Sequence, residues 1–195
     1  SSENEKIYPY FESYDTEEQW DARVRDVTLK SLLTMTSGYD CDDVNSKYSC
    51  ERNMYKSDDY VEYALNLPMK HNPGEHWAYN SASLWLVGEI ISKESRMSIP
   101  DFAEKYLFGQ LGITDVLWWF SPQGSAWLAG GAEMRPRDMA KFGHMVLNSG
   151  KWNDKQIVSR EWIEKSTSEH VRNGGGYWGY GYLWWVGNTV IKGRQ

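Results

Sequence analysis

Pro73-Gly74-Glu75-His76-Trp77-Ala78-Tyr79-Asn80-Ser81 is the stretch from which the rest of the chain is read. Its Pro-Gly pair predicts a tight turn, and Trp77-Ala78-Tyr79 a short extended piece. From Ser81 to about Ser95 the spacing predicts a helix. Leu84, Val87, Gly88 and Ile91 share a face, with Trp85, Leu86 and Ile90 beside it. Apolarity that broad belongs to a buried helix. Tyr79 therefore stands at a helix mouth, where free backbone N–H groups carry partial positive charge. That field favours phenolate and predicts a pKa below the ordinary value of about 10, more so beside a lysine. A tyrosine so tuned can carry a proton to and from a serine nucleophile. The same spacing also fits a ring packed at a helix end with its hydroxyl on solvent.

Outward from this stretch, helical patterns dominate. Residues 1–27 are acidic and aromatic without a sustained period, which predicts an extended arm. Thr28 caps a helix with apolar positions at Leu29, Leu32, Leu33 and Met35, ended by a left-handed Gly38. Tyr39 to Lys56 reads as a polar surface loop. Ser57-Asp58-Asp59 opens a helix on Tyr60, Val61, Ala64 and Leu65 that stops before Pro68. Ser98-Ile99-Pro100-Asp101 opens another that runs to Gly112. Val116 to Phe120 is a predicted strand, and Leu128 to Ala132 is glycine-rich. Residues 135–148 form an amphipathic helix on Met139, Phe142, Met145, Val146 and Leu147, and a short helix begins near Ser159. Gly174-Gly175-Gly176 reads as a loop, and Tyr180 to Val186 as an aromatic strand. The sum is an α+β chain with helices dominating.

Composition narrows the function. The chain has 195 residues, 21 basic against 27 acidic side chains and a net charge of −6, which argues against a nucleic-acid partner. No apolar run approaches the roughly 20 residues of a bilayer span. Eleven Trp and 13 Tyr either line a ligand groove or fill an aromatic core. Cys41 and Cys50 either form a disulfide, suiting an oxidising compartment, or remain thiols. The first residues are polar, without the apolar core of a signal peptide. His71 and His76 flank the Pro-Gly turn, a spacing without defined ligand geometry, so no metal or other cofactor is expected.

Several blocks, taken in order, resemble the serine β-lactamase-like family. It includes class C β-lactamases, D-alanyl-D-alanine carboxypeptidases, related esterases and 6-aminohexanoate-dimer hydrolases. Leu32-Leu33-Thr34-Met35-Thr36-Ser37-Gly38 is similar to its Leu-Leu-x-(Met/His)-Thr-Ser-Gly block. Pro73-Gly74 through Tyr79-Asn80-Ser81 and Leu86-Val87-Gly88-Glu89-Ile90-Ile91 resembles its Pro-Gly…Tyr-x-Asn…Leu-Gly-x-Ile-Ile block. Gly130-Gly131-Ala132, Arg137 to Gly143 and Gly150-Lys151-Trp152 match a third, and Tyr180 to Trp185 a fourth. The resemblance spans roughly residues 27–187. It implies a β-lactamase-like fold, mostly the helical lobe (28–170) with the start of a returning antiparallel sheet (177–195).

The resemblance also implies chemistry, residue by residue. Tyr79 matches the catalytic Tyr of Tyr-x-Asn, which acts with the Lys of a Ser-x-x-Lys motif to activate the acylated Ser. Ser81 stands where most members carry a substrate-contacting Asn, which tilts the reading from β-lactamase toward esterase or amide hydrolase. Trp184 and Trp185 either wall an acyl pocket or fill the core. No Ser-x-x-Lys occurs in these residues, and no Lys-Thr-Gly, Lys-Ser-Gly or His-x-Gly of the kind the family's Lys/His-x-Gly strand carries. The chain therefore reads as the middle of a larger enzyme, missing segments of that parent being its partners. It is expected to be inactive alone and to act, when whole, on a small-molecule ester, amide or β-lactam. A periplasmic or secreted setting is expected. The alternative is a non-catalytic, aromatic-rich binding module or a catalytically dead homologue.

Overall fold

A computed structural model describes residues 2–15, 20–44, 49–172 and 178–187. Its longest buried element is α4 (Leu84–Ser95), whose Leu84, Trp85, Leu86, Val87 and Ile90 are all in the core. The helix starts three residues later than periodicity predicts. Asn80 Oδ1 accepts from Ser83 N (3.0 Å) and Asn80 O from Ser83 Oγ (3.0 Å), so residues 81–83 form the entry turn. Arg96, at φ 56°, ends it in a left-handed conformation.

Around α4 sit three short helices. α1 (Leu29–Leu33) opens with a capping box in which Thr28 and Ser31 satisfy each other's backbone N–H groups. It stops earlier than expected: Met35 already takes φ 57°. Gly38, at φ 89°, shapes the following turn, where a Cβ would lie 2.4 Å from the His71 carbonyl oxygen. α2 (Cys50–Met54), capped by Ser49, occupies part of the expected surface loop, and buried Cys50 and Met54 bind it to the core. α3 (Tyr60–Leu65) is capped by Asp59, which accepts from Val61 N and Glu62 N at 2.9 Å each.

The described part of residues 1–27 packs on the core rather than running as an extended arm. Three 3-10 turns, Tyr8–Tyr10, Glu12–Tyr14 and Ala22–Asp26, bring Ile7, Phe11, Val24 and Val27 into the same core as α1, α3 and α4. Asp15 accepts from Tyr8 Oη (3.2 Å) and pairs with Arg25 (3.0 Å), closing this segment on itself. Irregular apolar spacing does not exclude burial when 3-10 turns of period three carry it.

A second, smaller core gathers Phe108, Leu111, Ile113, Met145 and Ile163. α5 (Ile99–Ala103) runs on through a π turn at Glu104–Phe108 and a 3-10 turn at Gly109–Leu111, then stops at left-handed Gly112. β1 (Val116–Trp118) pairs antiparallel with β2 (Ala132–Met134), Leu117 opposite Glu133. α6 (Pro136–Leu147) packs through Met145 with Phe142 and Val146. Met139 and Leu147, expected on its buried face, are exposed, Leu147 at 85%. Leu147 lies five residues beyond Phe142, on the opposite side of the helix. β3 (Lys151–Trp152) and β4 (Lys155–Gln156) form a hairpin, and Ser159 caps α7 (Arg160–Ser166).

The last described residues hold a three-stranded antiparallel sheet in order β5 (Val171–Arg172), β6 (Gly179–Tyr180), β7 (Trp185–Val186). Residues 180–186 are thus not one strand. They turn back so that Tyr180 pairs with Trp185, with Gly181 N bonded to Trp184 O at 2.8 Å. Only glycine fits at the start of this turn, since a Cβ at Gly181 would lie 2.4 Å from Ser166 O. Left-handed Leu183 (φ 61°) donates its N–H to Leu33 O, and Tyr182 its own to Ser166 O. Gly174-Gly175-Gly176 lies outside the described residues.

Candidate functional site

Tyr79 is held from three directions by backbone contacts. Met35, turned left-handed, accepts from Ala78 N through its carbonyl (2.9 Å) and from Asn80 N through its sulfur (3.4 Å). The Pro-Gly turn is tied down by Gly74 N to Thr36 O at 2.7 Å. From the third side comes Asp43. Its N–H donates to Tyr79 O (2.7 Å), and its Oδ2 accepts from Ser81 N (2.9 Å).

Asp43 is itself fixed. Its Oδ1 accepts from Ser49 Oγ (2.9 Å) and Glu51 N (3.2 Å), at the start of α2. Cys41 and Cys50 are joined by a disulfide, S–S 2.09 Å, so the bridge closes the segment that carries Asp43. The bridged sulfurs offer no thiolate. Cys41, Asp43 and Cys50 are the only His/Cys/Asp/Glu trio gathered closely enough for an ion among the described residues. The rings of His71 and His76 stack at 4.3 Å, without a third such donor joining them.

The electronic surroundings of Tyr79 differ from the expected ones. Burial raises its pKa above the ordinary tyrosine range, and the charges of Glu51 and Asp43 raise it further. The helix begins at Leu84, five residues away, so its positive end lies past the ring. The ring is half-buried among aromatics. Trp185 stacks on it at 6.0 Å and 16°, and Tyr180 meets it edge-on at 6.4 Å. Trp77 lies 6.4 Å away and also contacts Tyr180 (5.7 Å) and Trp185 (5.5 Å). Tyr180 is buried, and burial raises its phenol too.

The structure separates the other candidates. Trp185, 46% exposed, belongs to the Tyr79 cluster, whereas Trp184 stacks on Phe142 of α6 at 6.2 Å and 2°. Ser81 is 5% exposed, with its N–H taken by Asp43. Asn80 is equally hidden and spends its Oδ1 on the α4 entry, while its buried Nδ2 has no partner among the described residues. Asp43 was not foreseen from the sequence. Its one signal is its place between two cysteines, and what it holds lies 36 and 38 residues away.

A separate aromatic hollow of about 360 Å³ is walled by Tyr55, Tyr60, Trp85, Trp119, Phe120 and Trp127. Tyr55 Oη donates to Glu51 Oε1 at 3.1 Å, and Glu51 is one of the two charges felt by Tyr79. The hollow and the Tyr79 cluster thus share a carboxylate.

The chain is similar to several known proteins. A protein of Penicillium rubens named lovastatin esterase is 27% identical over 185 residues, covering 77% of this chain and 46% of that protein. A solved structure from Bacillus anthracis described as a 6-aminohexanoate-dimer hydrolase superposes with a TM-score of 0.78 at 17% identity. It covers 95% of this chain and 52% of that one. A penicillin binding protein from Bacillus halodurans gives 0.67 at 20% identity, covering 91% and 62%. These structural likenesses bear on fold, and the fold is β-lactamase-like, α+β. The chain spans about half the length of the relatives it matches most fully. The family model described as Beta-lactamase matches residues 10–193, nearly the whole sequence, and the chain belongs to that family.

Proposed function

We propose that these residues form part of a serine hydrolase that acts through an acyl-serine intermediate, with Tyr79 as the proton-carrying group. The observation that carries the reading is the Beta-lactamase family match over residues 10–193, within which Tyr79 and its neighbours keep the family order. The serine and its lysine are furnished, in this reading, by chain outside these 195 residues, which contain no Ser-x-x-Lys. A lysine placed against the Tyr79 phenol would counter the burial, Glu51 and Asp43 that now raise its pKa. The catalytic form of this tyrosine thus depends on a partner group. Esters are the first substrate class to test, given the lovastatin esterase relative, with linear amides and β-lactams next. The Cys41–Cys50 bridge favours a periplasmic or secreted setting.

The second reading, a non-catalytic aromatic binding module, draws on one observation: the Tyr79 ring is stacked on Trp185, with no lysine among the described residues that shift it. One experiment separates the two. The purified chain, given p-nitrophenyl acetate and a chromogenic β-lactam, is expected to turn over neither. The parent protein is expected to hydrolyse the ester and to lose about 10²–10⁴-fold in rate on Tyr79→Phe, the usual range for a general acid–base group. An unchanged parent rate after Tyr79→Phe removes Tyr79 from the mechanism, and turnover by the isolated chain overturns the need for an outside nucleophile.

A further inference from the structure

A cleft of about 290 Å³ lies between one face of α4 and the hairpin from Trp119 to Trp127. Trp85, Glu89 and Ser92 line it from α4, at the four- and three-residue spacings that put side chains on one side of a helix. The hairpin is closed by Trp127 N to Trp119 O and Ser121 N to Ser125 O, 2.8 Å each, and gives the cleft Phe120 and Ser125. Trp85 is buried and Phe120 exposed, so apolar surface runs from the depth of the cleft to its mouth. Walls fixed in this way lose little freedom on binding.

Glu89 spans the two walls. Its Oε1 accepts from Ser125 Oγ at 2.8 Å, which sets the carboxylate between α4 and the hairpin. Its Oε2 has no partner among the described residues and is not closed off. No ion pair among the described residues includes Glu89. The lysine one turn further along α4, Lys93, is spent elsewhere: its Nζ donates to Tyr10 O at 2.5 Å and lies 4.7 Å over the Phe11 ring. The neighbouring charge is negative too, since burial raises the Tyr14 phenol and Asp59, Glu89 and Glu62 raise it further. A half-buried carboxylate without a counter-charge gains from taking one.

The cleft's chemistry narrows the cation. Among the described residues Glu89 joins no trio of His, Cys, Asp or Glu close enough for a metal ion. With Oε1 engaged, the two-oxygen grip that suits a guanidinium is half used. An ammonium needs only one oxygen and has three N–H groups to share. Ser125 Oγ has spent its hydrogen on Glu89, so it can only accept, and Ser92 brings a second hydroxyl. We propose that this cleft binds a small primary ammonium compound, with its N–H groups on Glu89 Oε2 and the hydroxyls of Ser92 and Ser125, and its apolar body against Trp85 and Phe120. The site does not rest on the hydrolase reading, which uses none of these residues.

The test titrates the purified 195-residue chain with three probes: benzylamine (ring and ammonium), benzyl alcohol (ring without charge) and benzyltrimethylammonium (ring and charge without N–H donors). Calorimetry gives the affinities, and the backbone amide resonances of Gly124 and Ser125 place the site. Benzylamine is expected to bind tightest and to move both resonances. Glu89→Gln keeps an oxygen for Ser125 while removing the charge. It is expected to weaken benzylamine about 10- to 100-fold, the range for hydrogen bonds to charged groups, and to leave benzyl alcohol unchanged. Ser92→Ala is expected to weaken benzylamine about 3- to 10-fold. If Glu89→Gln fails to fold, the ranking of probes and the two amide shifts in the unaltered chain still decide. Equal or tighter binding of either other probe, benzylamine binding indifferent to Glu89→Gln, unmoved Gly124 and Ser125 resonances, or no benzylamine binding overturns the proposal. Binding by the chain but not by the parent protein assigns the cleft to a lysine of the parent itself and overturns the ligand site.

Discussion

Two groups of aromatic rings lie on either side of Glu51, and they are built to opposite ends. Around Tyr79, the rings of Trp77, Tyr180 and Trp185 fill one another's space with centroids 5.2–6.4 Å apart. Beyond Glu51, the rings of Tyr55, Tyr60, Trp85, Trp119, Phe120 and Trp127 surround a hollow instead. An abundance of Trp and Tyr therefore does not choose between close packing and a hollow, because this chain makes one of each. One difference lies in what anchors the rings: packing alone in the first, and in the second hydrogen bonds to carboxylates at two of the six, Tyr55 and Trp119. Removing a ring separates them most sharply. Tyr180→Ala empties a fully buried position and is expected to cost about 3–5 kcal/mol in urea unfolding. Trp119→Ala, at the exposed rim, is expected to cost within about 1 kcal/mol. Equal losses at the two positions would erase the distinction.

The segment between the two groups is held by the disulfide, and opening it sharpens the comparison at a smaller scale. Cys41 and Cys50 are nine residues apart, and closing so short a loop is worth about 2.5 kcal/mol on the chain-entropy account. The double variant Cys41→Ser/Cys50→Ser is expected to lose about that much. It should also disturb Tyr79 and Tyr55 together, because Asp43 and Glu51 both lie in or beside the bridged segment. Tyrosine resonances from one side moving without the other would show that the bridge steadies only half of the arrangement.

What the sequence made legible was local. Thr28, Ser98 and Ser159 cap helices as their residue types predict, and α4 is buried on the face its spacing marks out. What it hid was contact across long separations. The hairpin at 179–186 looks like one strand because five of its residues, Tyr180, Tyr182, Trp184, Trp185 and Val186, favour strands. The tertiary contacts of Gly181 with Ser166 and of Leu183 with Leu33 fold it back. A left-handed Leu costs roughly 1–2 kcal/mol and is tolerated where such a bond compensates. The first 27 residues carry their core contribution on four separated apolar side chains, too sparse for a periodic signal. The candidate site was legible in Tyr79 and not in its setting: three neighbouring rings and two carboxylates come from residues 43, 51, 77, 180 and 185.

The finest distinction concerns charge rather than packing. Asp43→Asn keeps the shape of the side chain but replaces one accepting oxygen with an NH₂. One set of its bonds, to Ser81 N or to Ser49 and Glu51 N, must then fail, at a cost of about 1–3 kcal/mol. The variant also removes one of the two charges that raise the Tyr79 pKa, leaving burial and Glu51 in place. The phenol is therefore expected to move down toward, but not reach, the ordinary value of about 10. Absorbance titration near 295 nm, with Tyr79→Phe in each background to isolate the ring, measures it. Stability carries the same information with a definite sign. Above about pH 10 the unfolded tyrosine loses its proton while the folded one keeps it, so unfolding releases a proton and stability falls as pH rises. With the gap narrowed, the Tyr79 share of that alkaline loss is expected to be smaller in Asp43→Asn than in the unaltered chain. An unchanged Tyr79 titration would mean that Asp43 holds the backbone of the Tyr-Asn-Ser stretch without acting on the phenol, and its role would then be mechanical alone.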